Sequence, residues 1–239
     1  MPEVFAKALA RGAIAIVIVA VAWELAATAV ASPILMPHLG AVFGQIFQLV
    51  GTANFWTQAG VSASRILAGY LLALLVGLPI GLAMRQAPEL RFAVGALFAG
   101  LAAVPFVLLA PVMLLWFGIG GGAKIALAFA AAGFMLINDL ATVRGRTSPS
   151  EFGGMQPAAK TDWAPLAPSV VAAARTSFLV AVGAVLVSEM LAAQAGLGYL
   201  VIYATTTFDV ATMFAVVIIV ALPCAFISAL LRAIEGQVG

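Results

Sequence analysis

The sequence predicts an all-α, polytopic membrane protein with about six transmembrane helices, and three observations carry that reading. Of 239 residues, 64% are hydrophobic and only 8% charged, with a mean hydropathy of +1.18. A water-soluble domain carries about 25% charged residues, so this chain cannot clothe itself in water-facing side chains. Apolar runs of roughly 18–25 residues recur, each long enough to cross about 30 Å of hydrocarbon as a helix. The two-residue alternation of barrel strands is missing, which leaves helices to satisfy the backbone where there is no water. Residues 1–239 therefore read as a single transmembrane domain.

The elements follow in order. Lys7 and Arg11 precede the first apolar run as they would in a signal peptide. That run continues to about 31 and the span count needs it, so it reads as a retained helix over 13–31. Residues 41–58, AVFGQIFQLVGTANFWTQ, are apolar but broken by Gln45, Gln48, Gly51 and Asn54. They predict an interfacial or half-inserted outer helix, not a span. The second span is expected over 66–84, where Gly77 and Gly81 form a small-xxx-small pair suited to close helix packing within the subunit. The third, 92–117, contains Pro105 and Pro111 and should kink or break. The remaining spans are expected at 125–143, 170–191 and 211–231.

Basic residues set the orientation. Lys7, Arg11, Arg85, Arg91, Arg144, Arg146, Lys160 and Arg232 lie at one set of span ends; only Arg65 and Lys124 lie at the other. Eight against two places both termini and 144–168 in the cytoplasm, with 33–62 and 192–209 outside.

Most chemistry is excluded. The net charge of +2 and the absence of a Lys/Arg cluster argue against nucleic acid, leaving membrane lipid as the partner that composition implies. The one cysteine, Cys224, rules out an internal disulfide. His38 lacks the companions of a metal site. GIGGGA at 118–123, followed by Lys124, imitates a phosphate loop but joins two membrane helices and is not followed by Lys-Ser/Thr, so it reads as a glycine turn. No cofactor is expected. Charged groups in spans do need a reason, because each costs about 2.5–3.5 kcal/mol at the bilayer centre. Glu24, Asp139, Arg175 and Glu189 qualify. Two readings fit them: interhelical pairs or helix caps, or groups lining a pathway or gate. Arg65 and Glu189, both near outer span ends, suit a buried pair or cap. The candidate pathway or gate set is Arg65, Met113, Phe117, Asn138, Asp139, Arg175 and Glu189.

Three stretches, SRILAGYLLALLVGLPIGLAM, AVPFVLLAPVMLLWFGIGGGAKI and SEMLAAQAGLGYLVIYA, share the order and spacing of one family. They resemble permease subunits of bacterial ABC importers of the nitrate/sulfonate/taurine/bicarbonate group, in the binding-protein-dependent transport inner-membrane component family. The resemblance runs from about Trp23 to Ala229, and rests most on Ser64-Arg65 with Gly69, WFGIG at 116–120 and GLGYL at 196–200. It implies a type I importer fold in the inner (cytoplasmic) membrane. It further implies a second permease copy or paralogue, two ABC ATPase subunits and a periplasmic substrate-binding protein, with ATP hydrolysis on the partner and none here.

The resemblance also assigns 144–168, RGRTSPSEFGGMQPAAKTDWAPLAP, as the cytoplasmic coupling loop, where the family carries a Glu-Ala-Ala motif that docks on the ATPase. Here the location survives and the motif is degraded. Glu151 is followed by Phe152-Gly153-Gly154, and the nearest alanine pair, Ala158-Ala159, follows Pro157. The candidate coupling residues are Glu151, Phe152, Gly153, Met155, Ala158, Ala159, Lys160 and Asp162. The implied cargo is a small anionic or zwitterionic solute. A vitamin or vitamin precursor (a thiamine precursor or riboflavin) is the alternative within the class; an ATP-independent channel, carrier or accessory subunit is the alternative outside it.

Overall fold

The computed structural model describes residues 2–142, 166–192 and 194–238. Nine α-helices occur among them: α1 (Pro2–Val30), α2 (Leu39–Val50), α3 (Ala53–Gln86), α4 (Pro88–Ala103), α5 (Ala110–Phe117), α6 (Gly121–Thr142), α7 (Leu166–Ala192), α8 (Leu197–Thr206) and α9 (Val210–Val238). Five helices are long and apolar enough to cross a membrane, or six if the bent pair α4 and α5 is one span. The chain packs as two compact units, Met1–Trp56 with Leu200–Val220, and Thr57–Tyr199 with Ala221–Gly239.

In the first unit, α1 and α2 are joined through polar groups at the turn between them. Trp23 Nε1 donates to the Pro37 carbonyl at 2.9 Å. Glu24 accepts from the Leu39 amide at 3.1 Å and meets His38 Nδ1 at 2.7 Å. A carboxylate from a span thus caps the start of a short helix, where amides have no partner within the helix itself. Trp23 also packs edge-to-face on Phe214 of α9, with centroids 4.7 Å apart.

The second unit is built on α6 and α7. Lys124 of α6 reaches Ala192 of α7, and Asp139 of α6 reaches Thr176 of α7, so the two run antiparallel. Small residues let helix α3 lie against α6. A Cβ on Gly69 would stand 2.9 Å from the Ile125 carbonyl oxygen, and one on Gly81 would stand 2.8 Å from Leu140 Cβ. Ala73 is fully buried between them. The seam Gly69–Ala73–Gly77–Gly81 repeats every four residues along one helix face, which brings the backbones close without side-chain bulk. Gly77 and Gly81 therefore serve packing within the subunit. The core it closes on includes Leu127, Ala128, Ala132, Ala181, Ala184 and Val185.

One expectation needs correction. The second helix does not begin at 66: α3 starts at Ala53, so residues 53–58 belong to it and not to the interfacial helix, which is α2. At 34 residues, α3 is about 51 Å long and overshoots the hydrocarbon. The break expected in the third span is present. α4 ends at Ala103, a 3₁₀ turn covers Phe106–Leu109, and the two arms meet at 91°. Pro105 makes the break, since it has no amide for the ladder, while Pro111 sits harmlessly in the first turn of α5. The bend borders a cavity of 180 Å³ lined by Val104, Pro105, Phe106 and Phe134, a setting that tolerates irregular backbone at depth. Within 192–209 lies a further helix, α8, that was not anticipated from the sequence.

The seam yields a direct test. Gly69→Val should lower the unfolding temperature of the detergent-purified chain, at a cost of about 1–3 kcal/mol. Gly60→Ala, with nothing within 4 Å of its added Cβ, should be neutral. Equal melting of Gly69→Val and the parent chain would contradict the close approach of α3 and α6.

Candidate functional site: a charged knot at the ends of four helices

Gln58, Ser62 and Arg65 recur at intervals of four and three along α3, which puts them on one face. That face meets Glu189 near the end of α7. The Glu189 side chain is fully buried, and Arg65 Nη1 lies 2.7 Å from its Oε1. Its Oε2 accepts from Ser62 Oγ at 2.7 Å and from the Gly198 amide at 3.0 Å. Ser62 Oγ accepts in turn from the Leu197 amide at 2.7 Å, and Gln58 Oε1 accepts from the Gly196 amide at 2.7 Å. The first amides of α8 are therefore met by acceptors from α3 and α7, with a carboxylate at the positive end of the helix dipole. The second hydrogen bond of Arg65 Nη1 goes to the Ala195 carbonyl at 2.8 Å.

GLGYL is explained by this geometry. Gly196 has φ +119, and a Cβ there would overlap the Glu189 carboxylate. A Cβ on Gly198 would collide with the Leu186 carbonyl oxygen and stand 2.7 Å from Glu189 Cβ. Glycine is required at both positions for α8 to start against the end of α7.

Sequence reasoning missed a fifth participant. Lys124 is 1% exposed. Its ammonium donates to the Ala192 carbonyl at 2.5 Å and to the Ile119 carbonyl, so it caps the C-terminus of α7 and holds the turn before α6. The available signal was a lysine opening an apolar helix with no acid beside it in sequence, a group that must find carbonyl acceptors once buried. Ser62 and Gln58 were missed as well; their spacing from Arg65 was the signal. With Arg65, Gln194 and Ala195, Lys124 lines an open cleft of 390 Å³.

The predicted pathway or gate residues do not gather in one place. Arg65 and Glu189 lie in the knot. Asp139 and Arg175 lie toward the opposite end of the α6–α7 pair, about 21 Å away by helical rise. There Thr176 Oγ1 donates to Asp139 Oδ2 at 2.7 Å, and Arg175 Nη2 lies 3.6 Å from Glu235 of α9. Asn138 borders a separate cleft with Arg85 and Arg91. Met113 packs against the core of the unit, whereas Phe117 is 56% exposed. Glu24, the remaining span carboxylate, caps α2. The predicted coupling residues Glu151, Phe152, Gly153, Met155, Ala158, Ala159, Lys160 and Asp162 lie outside the described residues.

Comparison with known proteins decides the family. No family model matches the chain. A Methanocaldococcus jannaschii protein assigned as an ABC transporter permease, MJ0413, is 30% identical over 230 residues, covering 91% of this chain and 86% of its own length. This chain belongs to the ABC transporter permeases. The permease is also 26% identical to the taurine transport system permease protein TauC of Escherichia coli K12, over 77% of this chain and 72% of that protein. It is 28% identical to the riboflavin transport system permease protein RibX of Chloroflexus aurantiacus, over 84% and 78%. Its fold is similar to a chain of the MetNI methionine ABC transporter in an inward-facing conformation, with a TM-score of 0.58 over 75% of this chain and 93% of that one, at 19% identity. The all-α, multi-pass membrane architecture is thus that of an ABC permease.

The two ends of the α6–α7 pair should differ sharply in sensitivity. Glu189→Ala leaves Arg65, the Ser62 hydroxyl and the Gly198 amide without their acceptor in a buried site, and should destabilise the permease by about 3–5 kcal/mol. Asp139→Asn keeps an acceptor for Thr176 and should cost about 1 kcal/mol or less. Denaturant unfolding in mixed micelles measures both. Comparable losses would mean that the knot is not the stronger constraint.

Proposed function

We propose that this permease is the membrane subunit of an ATP-driven importer that carries a small anionic or zwitterionic, nitrate-, sulfonate- or taurine-like solute into the cytoplasm. The observation that carries this reading is the similarity to TauC along 201 residues. The knot supports it: Arg65, Lys124 and Glu189 sum to one positive charge beside an open cleft, which suits a solute bearing an anionic group. In this reading 1–239 works as a single permease domain in the bacterial inner membrane, with both termini cytoplasmic. It pairs with a second permease copy or paralogue, receives solute from a periplasmic binding protein, and couples through 144–168 to two ATPase subunits that hydrolyse the ATP. Arg65 and Glu189 hold the outer gate; Met113, Phe117, Asn138, Asp139 and Arg175 border the path or its inner end. Vitamin import is the second reading, favoured by the 28% identity to RibX.

Phe152 and Met155 offer apolar contacts in the coupling loop, and Glu151, Lys160 and Asp162 set its register at the rim. The test is reconstitution in liposomes with the ATPase and binding protein that accompany the chain. Taurine and riboflavin are compared as cargo, with Phe152→Asp/Met155→Asp as the uncoupling variant. The expected result is ATP-dependent uptake of the sulfonate, with association or coupling lost in the variant. Preferred uptake of riboflavin would select the second reading, and transport by the permease alone without ATP would defeat both in favour of a carrier.

A further inference from the structure

A cleft of 950 Å³ opens where α3 ends, α4 begins and α6 ends, and the transport reading makes no use of its two arginines. Arg85 comes from the last turn of α3 and Arg91 from the first turn of α4. Both residues therefore sit at the ends of apolar helices. The neutral polar groups of Asn138 and Thr142 border the cleft, and among the described residues no carboxylate lines it. Arg85 Nη1 is buried and finds no hydrogen-bond partner among the described residues. A buried guanidinium N–H without an acceptor is costly, so an acceptor is the missing component. One wall is apolar: Phe92 is 92% exposed, and Phe98 and Ala99 continue the surface along α4.

We propose that this cleft binds the phosphate headgroup of an acidic phospholipid, with Arg85 and Arg91 sharing its oxygens and an acyl chain lying along Phe92, Phe98 and Ala99. Two arginines facing one cleft suit a phosphate, because each planar fork can place two N–H groups on its oxygens. The apolar wall selects a lipid over a free ion. Basic pockets between transmembrane helices at the level of the headgroups suit this class of ligand.

The test titrates the full chain, in nanodiscs of neutral phosphatidylcholine, with phosphatidylglycerol, and reads bound lipid by native mass spectrometry. The parent chain should take up phosphatidylglycerol in preference to phosphatidylcholine. Arg85→Gln/Arg91→Gln should bind it roughly thirty-fold more weakly. Arg91 is exposed and can be changed without disturbing the core, so Arg91→Gln alone should weaken binding roughly five-fold even if the double variant fails to fold. Undiminished binding by Arg91→Gln and by a folded double variant would overturn the site. Displacement of the lipid by millimolar inorganic phosphate would overturn the lipid assignment and leave free phosphate as the ligand.

Discussion

The buried carboxylate of Glu189 is the constraint on which the meeting of α3, α6, α7 and α8 depends. A helix that begins in a buried site presents amides that no water can meet, and each one left open is costly. Glu189 answers for the start of α8 through the Gly198 amide, and through Ser62 it supports the Leu197 amide as well. The carboxylate is itself compensated by Arg65. A buried charge is tolerated when paired and hydrogen-bonded, and becomes a strong liability when one partner is removed. Lys124 does the complementary work at the negative end of α7. One anion and two cations therefore fix the start of α6, the end of α7 and the start of α8 against one face of α3.

Such a knot requires backbones that approach closely, and the small residues supply that. The seam on α3 runs from Gly69 to Gly81 directly below Arg65, so the helix face that carries the polar groups also carries the residues that let it sit against α6. Gly196 and Gly198 do the same for α8 against α7. In lipid the hydrophobic effect offers little drive for helix association, so close van der Waals packing and interhelical hydrogen bonds must hold the bundle. The capping of α2 by Glu24 repeats the same solution with a half-exposed carboxylate.

Much of this was legible in the sequence, and the rest was not for identifiable reasons. Composition and the apolar runs established the class, and Pro105 marked the break in the third span because it has no amide to donate. Glu189, Arg65 and Glu24 stood out as charges that needed partners. Helix α3 was read too short because Gln58, Ser62 and Arg65 interrupt its hydropathy; those side chains face protein, where polarity does not signal a helix end. Helix α8 was hidden because GLGYL has the composition of a turn, and its glycines serve close contact instead. Lys124 looked like a charge at a loop, and only tertiary structure brings the Ala192 carbonyl to it, 68 residues away. The predicted coupling residues between Glu151 and Asp162 lie outside the described residues.

The most direct measurement is hydrogen–deuterium exchange of the permease in nanodiscs, comparing the parent chain with Glu189→Met, which keeps the side-chain length and removes the acceptors. The account predicts faster exchange at the amides of Leu197 and Gly198 and in the first turn of α8, with α6 and the middle of α7 unchanged. Unaltered exchange at those amides would contradict the claim that Glu189 holds the start of α8.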